Sequence, residues 1–204
     1  MHRRTFLAAG AGVAAGLAPF ASRPAVWPFA PAGITHQTGA AWFTNVRLRA
    51  HDGRGVRFYD DLLRGKIALI NFVFTNCSDV CPGVTQNLAD LQPLLGPRLG
   101  RDTFMYSISI DPENDTPQKL SAYAETFGAG SGWLFLTGKK ADVELLRERL
   151  GFKDSDPAQD ADPKEHIGNI RIGNEPLHRW IMAAGIARPE AILRSVKRAV
   201  PDWV

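Results

Sequence analysis

Cysteine is nearly absent from this chain: its 204 residues include two, Cys77 and Cys81. They allow one intrachain bridge, so a disulfide framework is excluded. A bridge closing so short a loop would remove little entropy from the unfolded chain, and the pair therefore reads as reactive chemistry, not as a staple. Long apolar runs are missing too. Outside the extreme N-terminus none reaches the roughly 20 residues of a membrane-spanning helix. Acidic residues are absent from the first 32 positions, which carry Arg3, Arg4 and Arg23. Those three arginines account for the whole formal charge of +3, since the rest of the chain sets 21 Lys and Arg against 21 Asp and Glu. A neutral body lacks the electrostatic footprint of a phosphate-backbone binder, so no nucleic-acid partner is expected. There is no internal repeat and no low-complexity tract. What is present, 45% hydrophobic residues with 11 Phe and 5 Trp, argues for a folded chain, and the length suits one compact domain.

The N-terminal stretch reads as an address. Met1 to Leu7 form a charged region, and Ala8 to Phe20 a mildly apolar one rich in Ala and Gly. The Arg3-Arg4 pair followed by Thr5-Phe6-Leu7 resembles a twin-arginine (Tat) signal, with His2 where Ser or Thr is usual and Ala8 where Lys is common. Cleavage after Ala30-Pro31-Ala32 competes with cleavage after Gly16-Leu17-Ala18; uncut, the segment would be a membrane tether. The expected division is 1–32 as export signal and linker and 33–204 as the working domain. The body is expected outside the cytoplasm, in the periplasm or on the periplasm-facing inner membrane, where thiols oxidise readily.

Along the body, Pro, Ala and Gly make 19–41 a linker. Alternation over 45–50, a turn at His51–Gly55 and renewed alternation over 56–58 predict a hairpin. The apolar run Lys66–Phe74 suits a strand covered on both faces, Val84–Leu95 has helical spacing, and Thr103–Ile110 is a second buried strand. Asp111–Pro117 is a turn opening a helix that ends at Phe127, with Thr116 as N-cap and Pro117 first. A short strand (133–136), a helix (141–150) and an acidic loop (152–165) follow. The chain closes with a hairpin of strands 167–172 and 177–184 turning at Gly173–Pro176, then a helix over 189–200. This order predicts an α/β fold with a central mixed sheet flanked by helices and an N-terminal β-hairpin.

Cys77 and Cys81 sit where a buried strand gives way to a helix. At i and i+4 on one side of a helical turn, their sulfurs can converge on one ion or bond to each other. A helix N-terminus favours thiolate over thiol. Soft thiolates in an oxidising compartment suit copper, Cu(I) above all, and two sulfurs leave the site needing a third ligand, with imidazole the expected type. His2, His36, His51, His166 and His178 are the candidates. Haem attachment and a four-ligand zinc site lack their residues, and a thioredoxin motif has two intervening residues, not three. Asp79 could tune the thiols or simply cap the helix; Asp111 could face the site or simply form the turn before Pro112.

The segment Phe74-Thr75-Asn76-Cys77-Ser78-Asp79-Val80-Cys81-Pro82, following Gly65-Lys66-Ile67-Ala68-Leu69-Ile70-Asn71-Phe72, resembles the Cys-x-x-x-Cys-Pro motif of the Sco/SenC family. The stretch Ser107-Ile108-Ser109-Ile110-Asp111-Pro112-Glu113-Asn114-Asp115-Thr116-Pro117 resembles the family's second signature. The likeness spans roughly 40–200. It implies a thioredoxin-like fold and binding of copper, as Cu(I), Cu(II) or both. It also implies delivery from a copper donor to the CuA centre of cytochrome c oxidase, in subunit II, with thiol–disulfide exchange as a related role. The family's third ligand is a His in a loop before a strand and turn, which points to His166, with His178 read as a surface or strand-edge residue. Ser78 stands where members often carry Pro, and Gly173-Asn174-Glu175-Pro176 replaces the more usual Asp-Pro-x-Gly turn.

Two functions follow. One is a metallochaperone holding copper through Cys77, Cys81 and His166. The other is a thiol–disulfide oxidoreductase in which the cysteines cycle and His166 is dispensable. A peroxiredoxin-like peroxidase is weaker, because Phe74 occupies the place of the Thr in its Thr-x-x-Cys motif.

Overall fold

A computed structural model describes residues 39–154, 156, 160 and 168–203. The first described element, α1 (Gly39–Phe43), falls where the sequence suggested linker; Phe43 is buried, and its ring packs 4.4 Å from that of Trp180. The expected hairpin follows as β1 (Arg47–Ala50) and β2 (Gly55–Arg57), and a π-helical turn over Phe58–Leu63 returns the chain to the core. Then come β3 (Ile67–Val73), α2 (Val80–Leu95), β4 (Thr103–Ser109), α3 (Pro117–Thr126), β5 (Trp133–Gly138), α4 (Lys140–Leu150), β6 (Asn169–Asn174), β7 (Arg179–Ala184) and α5 (Pro189–Ala199).

The strands form one mixed sheet in the order β2-β1-β5-β4-β3-β6-β7. Its centre, β5-β4-β3, is parallel, and the flanking strands on each side join antiparallel. Every residue of β3 is buried, as its nearly unbroken apolar run requires of a strand covered on both faces. Buried polar groups in this centre satisfy one another. Ser107 Oγ donates to Asn71 Oδ1 across the β3–β4 pair (2.7 Å) and accepts from Trp133 Nε1 on β5 (3.0 Å), so three strands share one hydrogen-bonded chain.

The late hairpin turns two residues beyond the expected place. Gly173 and Asn174 stay in β6, paired with Trp180 and Arg179, and the turn is Glu175–His178. Three buried groups explain the shift. A Cβ on Gly173 would stand 2.1 Å from Trp180 Cζ3, so the glycine serves close ring packing, not a turn. Asn174 donates from Nδ2 to the Ala199 carbonyl of α5 (3.2 Å) and accepts from the Leu177 amide (3.3 Å). Glu175, also buried, accepts from Tyr59 Oη and the Gly65 amide, each at 2.7 Å, tying the β6–β7 turn to the chain entering β3.

The parallel centre positions the site. β3 and β4 run side by side in register from Ile67↔Thr103 to Val73↔Ser109, so both strands end at one edge of the sheet. The loops leaving them, 74–79 and 110–116, are therefore neighbours. Ligands of open α/β sheets gather at such carboxyl edges.

Candidate functional site

The β3–α2 loop begins with a tight turn in which the Cys77 amide donates to the Phe74 carbonyl (3.2 Å). Helix α2 begins at Val80, earlier than the helical spacing from Val84 suggested, and Cys81 lies in its first turn. Cys77 precedes the helix. The two cysteines thus meet through a loop bend and not as i and i+4 on one helix. They are free thiols in hydrogen-bonding reach of each other, Cys77 8% and Cys81 1% exposed.

Burial overrides the helix terminus at Cys81. Its thiol is pushed up from 9.0 to about 12, first by burial and then by the hydrogen bond with the Cys77 thiol. The expected preference for thiolate at the helix start does not hold for this residue in the metal-free state. Around it, Thr85 Oγ1 donates to the Cys81 carbonyl (2.7 Å) and lies 3.2 Å from Tyr123 Oη of α3. Burial, together with the charges of Cys81, Cys77 and Asp115, raises the Tyr123 phenol to about 12.

The acid that organises this edge is Asp115, not Asp111. Asp115 is 1% exposed and accepts three hydrogen bonds: from the Thr75 amide (3.1 Å), Thr75 Oγ1 (2.5 Å) and Ser109 Oγ (2.5 Å). Asp111 forms the turn. Its carboxylate accepts from Asn114 Nδ2, its carbonyl from the Asp115 amide (2.8 Å), and its own amide donates to Ser109 Oγ (3.0 Å). Thr116 caps α3, its Oγ1 accepting from the Lys119 amide (3.3 Å). Sequence reasoning missed Asp115, Thr75, Ser109 and Tyr123. The signal was Ser109 at the end of a buried strand, because a buried hydroxyl needs a partner. Asp79 stands at the N-cap position of α2 but makes no capping side-chain bond.

His51 is committed elsewhere: its Nδ1 accepts from the Phe135 amide (3.1 Å) and its own amide donates to the Phe135 carbonyl (2.8 Å), joining the hairpin to β5. His178 is exposed in the β6–β7 turn with φ 51°, in keeping with its reading as a surface residue. His2, His36 and His166 lie outside the described residues. Among the described residues, no three His, Cys, Asp or Glu side chains converge in a metal-holding group. What the arrangement offers chemically is two adjacent sulfurs, able to bond to each other on oxidation or to hold one soft cation on losing their protons.

The SCO1/SenC family model matches residues 40–174. The chain belongs to the SCO1/SenC family. A SCO1 protein homolog of Bacillus subtilis is 39% identical over 95 residues, 46% of this chain and 48% of that protein. This SCO1/SenC chain thus spans about half the length of the curated relatives it matches. Its fold is that of solved Sco structures. Yeast Sco1 with copper bound superposes with a TM-score of 0.60 at 21% identity, covering 78% of this chain and 91% of that one. BsSco, described as having a disulfide switch and as a member of the Sco family of cytochrome c oxidase assembly proteins, gives a TM-score of 0.60 at 25% identity, covering 76% and 90%. The seven-stranded mixed sheet with flanking helices is therefore the thioredoxin-like Sco architecture. No helix among the described residues is long and apolar enough to cross a membrane.

Proposed function

We propose that this chain is a copper metallochaperone in which Cys77 and Cys81 hold the ion as thiolates and His166 supplies the third ligand. The observation that carries this reading is the meeting of two thiols at the carboxyl edge of the parallel strands, with Cys77 the more accessible. A soft thiolate pair fits copper by donor chemistry. The choice of His166 is supported by where the chain resumes. A Cβ on Gly168 would lie 3.7 Å from Val80 Cγ1, and Val80 adjoins Cys81. His166 is two residues earlier, and two residues span at most about 7 Å. Yeast Sco1 holding copper on the same fold adds weight.

The copper is cargo. Taking it up displaces a proton from a Cys81 thiol that is hard to ionise, so loading is driven by the ion and favoured as pH rises. A donor protein would load the site. The recipient would be the CuA centre in subunit II of cytochrome c oxidase, in line with the assembly role described for BsSco. Residues 1–32 would export the chain as a Tat-type signal and linker, leaving 33–204 to work in the periplasm or on the periplasmic side of the inner membrane.

A second reading draws on the thiol pair itself and on the disulfide switch of BsSco. Cys77, as thiolate, would attack a target disulfide and expel one target thiolate. Cys81 would then attack the mixed disulfide, giving a Cys77–Cys81 bond and a dithiol target, two electrons having passed to the target. Copper titration of wild type, Cys77→Ser and His166→Ala separates the two. The chaperone reading expects both substitutions to weaken binding, and unchanged affinity in either removes that residue from the site. A protein that reduces target disulfides equally well with and without His166, and binds no copper, is the oxidoreductase.

A further inference from the structure

Asp115 is a buried acid for which the cargo reading has no use, yet three hydrogen bonds converge on it beside the cysteine loop. Three donors reach it from a loop and a strand: the amide and hydroxyl of Thr75, two residues before Cys77, and the hydroxyl of Ser109 at the end of β4. Ser109 is held in turn by the Asp111 amide (3.0 Å), and the Asp115 amide donates to the Asp111 carbonyl (2.8 Å). The turn at 111–115 is thus closed on itself and anchored to β4. The Thr75 end of the cysteine loop hangs from it by both of its donors. The bend is further held by the Cys77 amide donating to the Phe74 carbonyl (3.2 Å) and by the hydrogen bond between the two thiols. Beside this junction lies a cavity of about 480 Å³ bordered by Thr75, Asn76, Asp111, Asn114, Asp115 and Lys119, leaving the loop room to move on that side.

We propose that Asp115 is the positioning residue of the thiol pair: by clamping Thr75 to the β4–α3 turn it fixes the Phe74–Cys77 bend and so holds the Cys77 sulfur over Cys81. It acts through Thr75 and touches neither sulfur nor cargo. The proposal rests on the reading of Cys77 and Cys81 as the working pair, but not on copper being what they carry. Its mechanism is geometric. In an Asp115→Asn variant the amide oxygen can accept from the Thr75 amide and Ser109, and the amide nitrogen can donate to Thr75 Oγ1 after that hydroxyl rotates, so the clamp survives without its charge. Asp115→Ala removes it.

The test is the equilibrium of the reduced protein with glutathione disulfide, in which two protein thiols give up two electrons and two protons to yield the Cys77–Cys81 bond and two glutathione thiols. Far-UV circular dichroism and thermal unfolding accompany each variant. Loosening Cys77 lowers its effective concentration at Cys81. Asp115→Ala is therefore expected to lower the equilibrium constant roughly tenfold, about 30 mV in potential. Asp115→Asn should stay within about twofold of wild type, because its bonds are kept. Thr75→Ala, which loses one of the three bonds, should fall between, and it carries the test if Asp115→Ala does not fold. An unchanged constant in Asp115→Ala, or in Thr75→Ala where the former is unfolded, overturns the proposal. So does an Asp115→Asn protein as displaced as Asp115→Ala, since charge and not geometry would then be acting. Copper titration of the wild type reports separately on the cargo reading: a protein that binds no copper but shows this pattern keeps the clamp and loses the chaperone.

Discussion

Cys77 and Cys81 are four residues apart, but the first sits in a loop at 8% exposure and the second in the opening turn of a helix at 1%. A thiol reacts as thiolate and only where a reagent can reach it. With its thiol pushed up from 9.0 to about 12, Cys81 is ionised to only about one part in ten thousand at pH 8. Iodoacetamide on the reduced, metal-free protein should therefore modify Cys77 first, with Cys81 slower by at least about tenfold, read by mass spectrometry of the labelled peptides. Equal rates would mean that burial does not set the difference. The same shift has a sign in stability. Folding raises this thiol above its unfolded value, so the contribution is complete below pH 9 and is lost as pH climbs towards 12. The cysteines themselves were legible in the sequence because their number and spacing left few chemistries open. Asp115 was not. Its neighbour Asp111, placed before Pro112, carried every local sign of a turn-forming acid, while the value of Asp115 comes from Thr75, forty residues away in sequence and adjacent only once β3 and β4 pair.

At the scale of elements, the buried strands declared themselves through predominantly apolar runs of strand length, and α3 through Thr116 and Pro117, because these signals are local. The β6–β7 turn did not. Gly173-Asn174-Glu175-Pro176 has turn composition, but tertiary partners claim its first three residues: the Trp180 ring, the Ala199 carbonyl of α5, and Tyr59 with Gly65. The π-helical turn Phe58–Leu63 was likewise invisible, its apolar positions being spent on core packing where Phe58 and Leu63 are fully buried. The hairpin account has a direct check. In Gly173→Ala the new methyl would meet Trp180 ring carbons at 2.1–2.4 Å, a clash that only a displaced indole or a bent strand relieves. Such overpacking costs about 1–3 kcal/mol. Urea denaturation should show that loss, with a change in Trp fluorescence in the folded baseline. If Gly173 instead formed a turn, alanine would act through backbone strain alone and leave the indole signal as it was.

At the scale of the molecule, one feature couples fold and site: the chain returns to the cysteine edge after a long excursion. The Gly185 amide donates to the Gly168 carbonyl (2.7 Å), and Asn87 of α2 donates from Nδ2 to the Gly185 carbonyl (2.9 Å), so the entry to β6, the exit from β7 and the cysteine-bearing helix are stitched together. An ion held by Cys77, Cys81 and His166 would add a further tie between α2 and the segment entering β6, one made only in the folded chain. Binding to the native state alone stabilises it by mass action, about 2.7 kcal/mol when free ligand exceeds Kd about a hundredfold. For a chain of this length that is a rise in Tm of roughly 5–10 °C. Thermal unfolding of the reduced protein with Cu(I) should show this rise, and Cys77→Ser should abolish most of it. His166→Ala should keep part, because two sulfurs remain while the tie to the β6 entry is lost. A His166→Ala protein stabilised by copper as strongly as wild type would show that the ion sits on the helix edge alone, and the loop would then have no part in holding it.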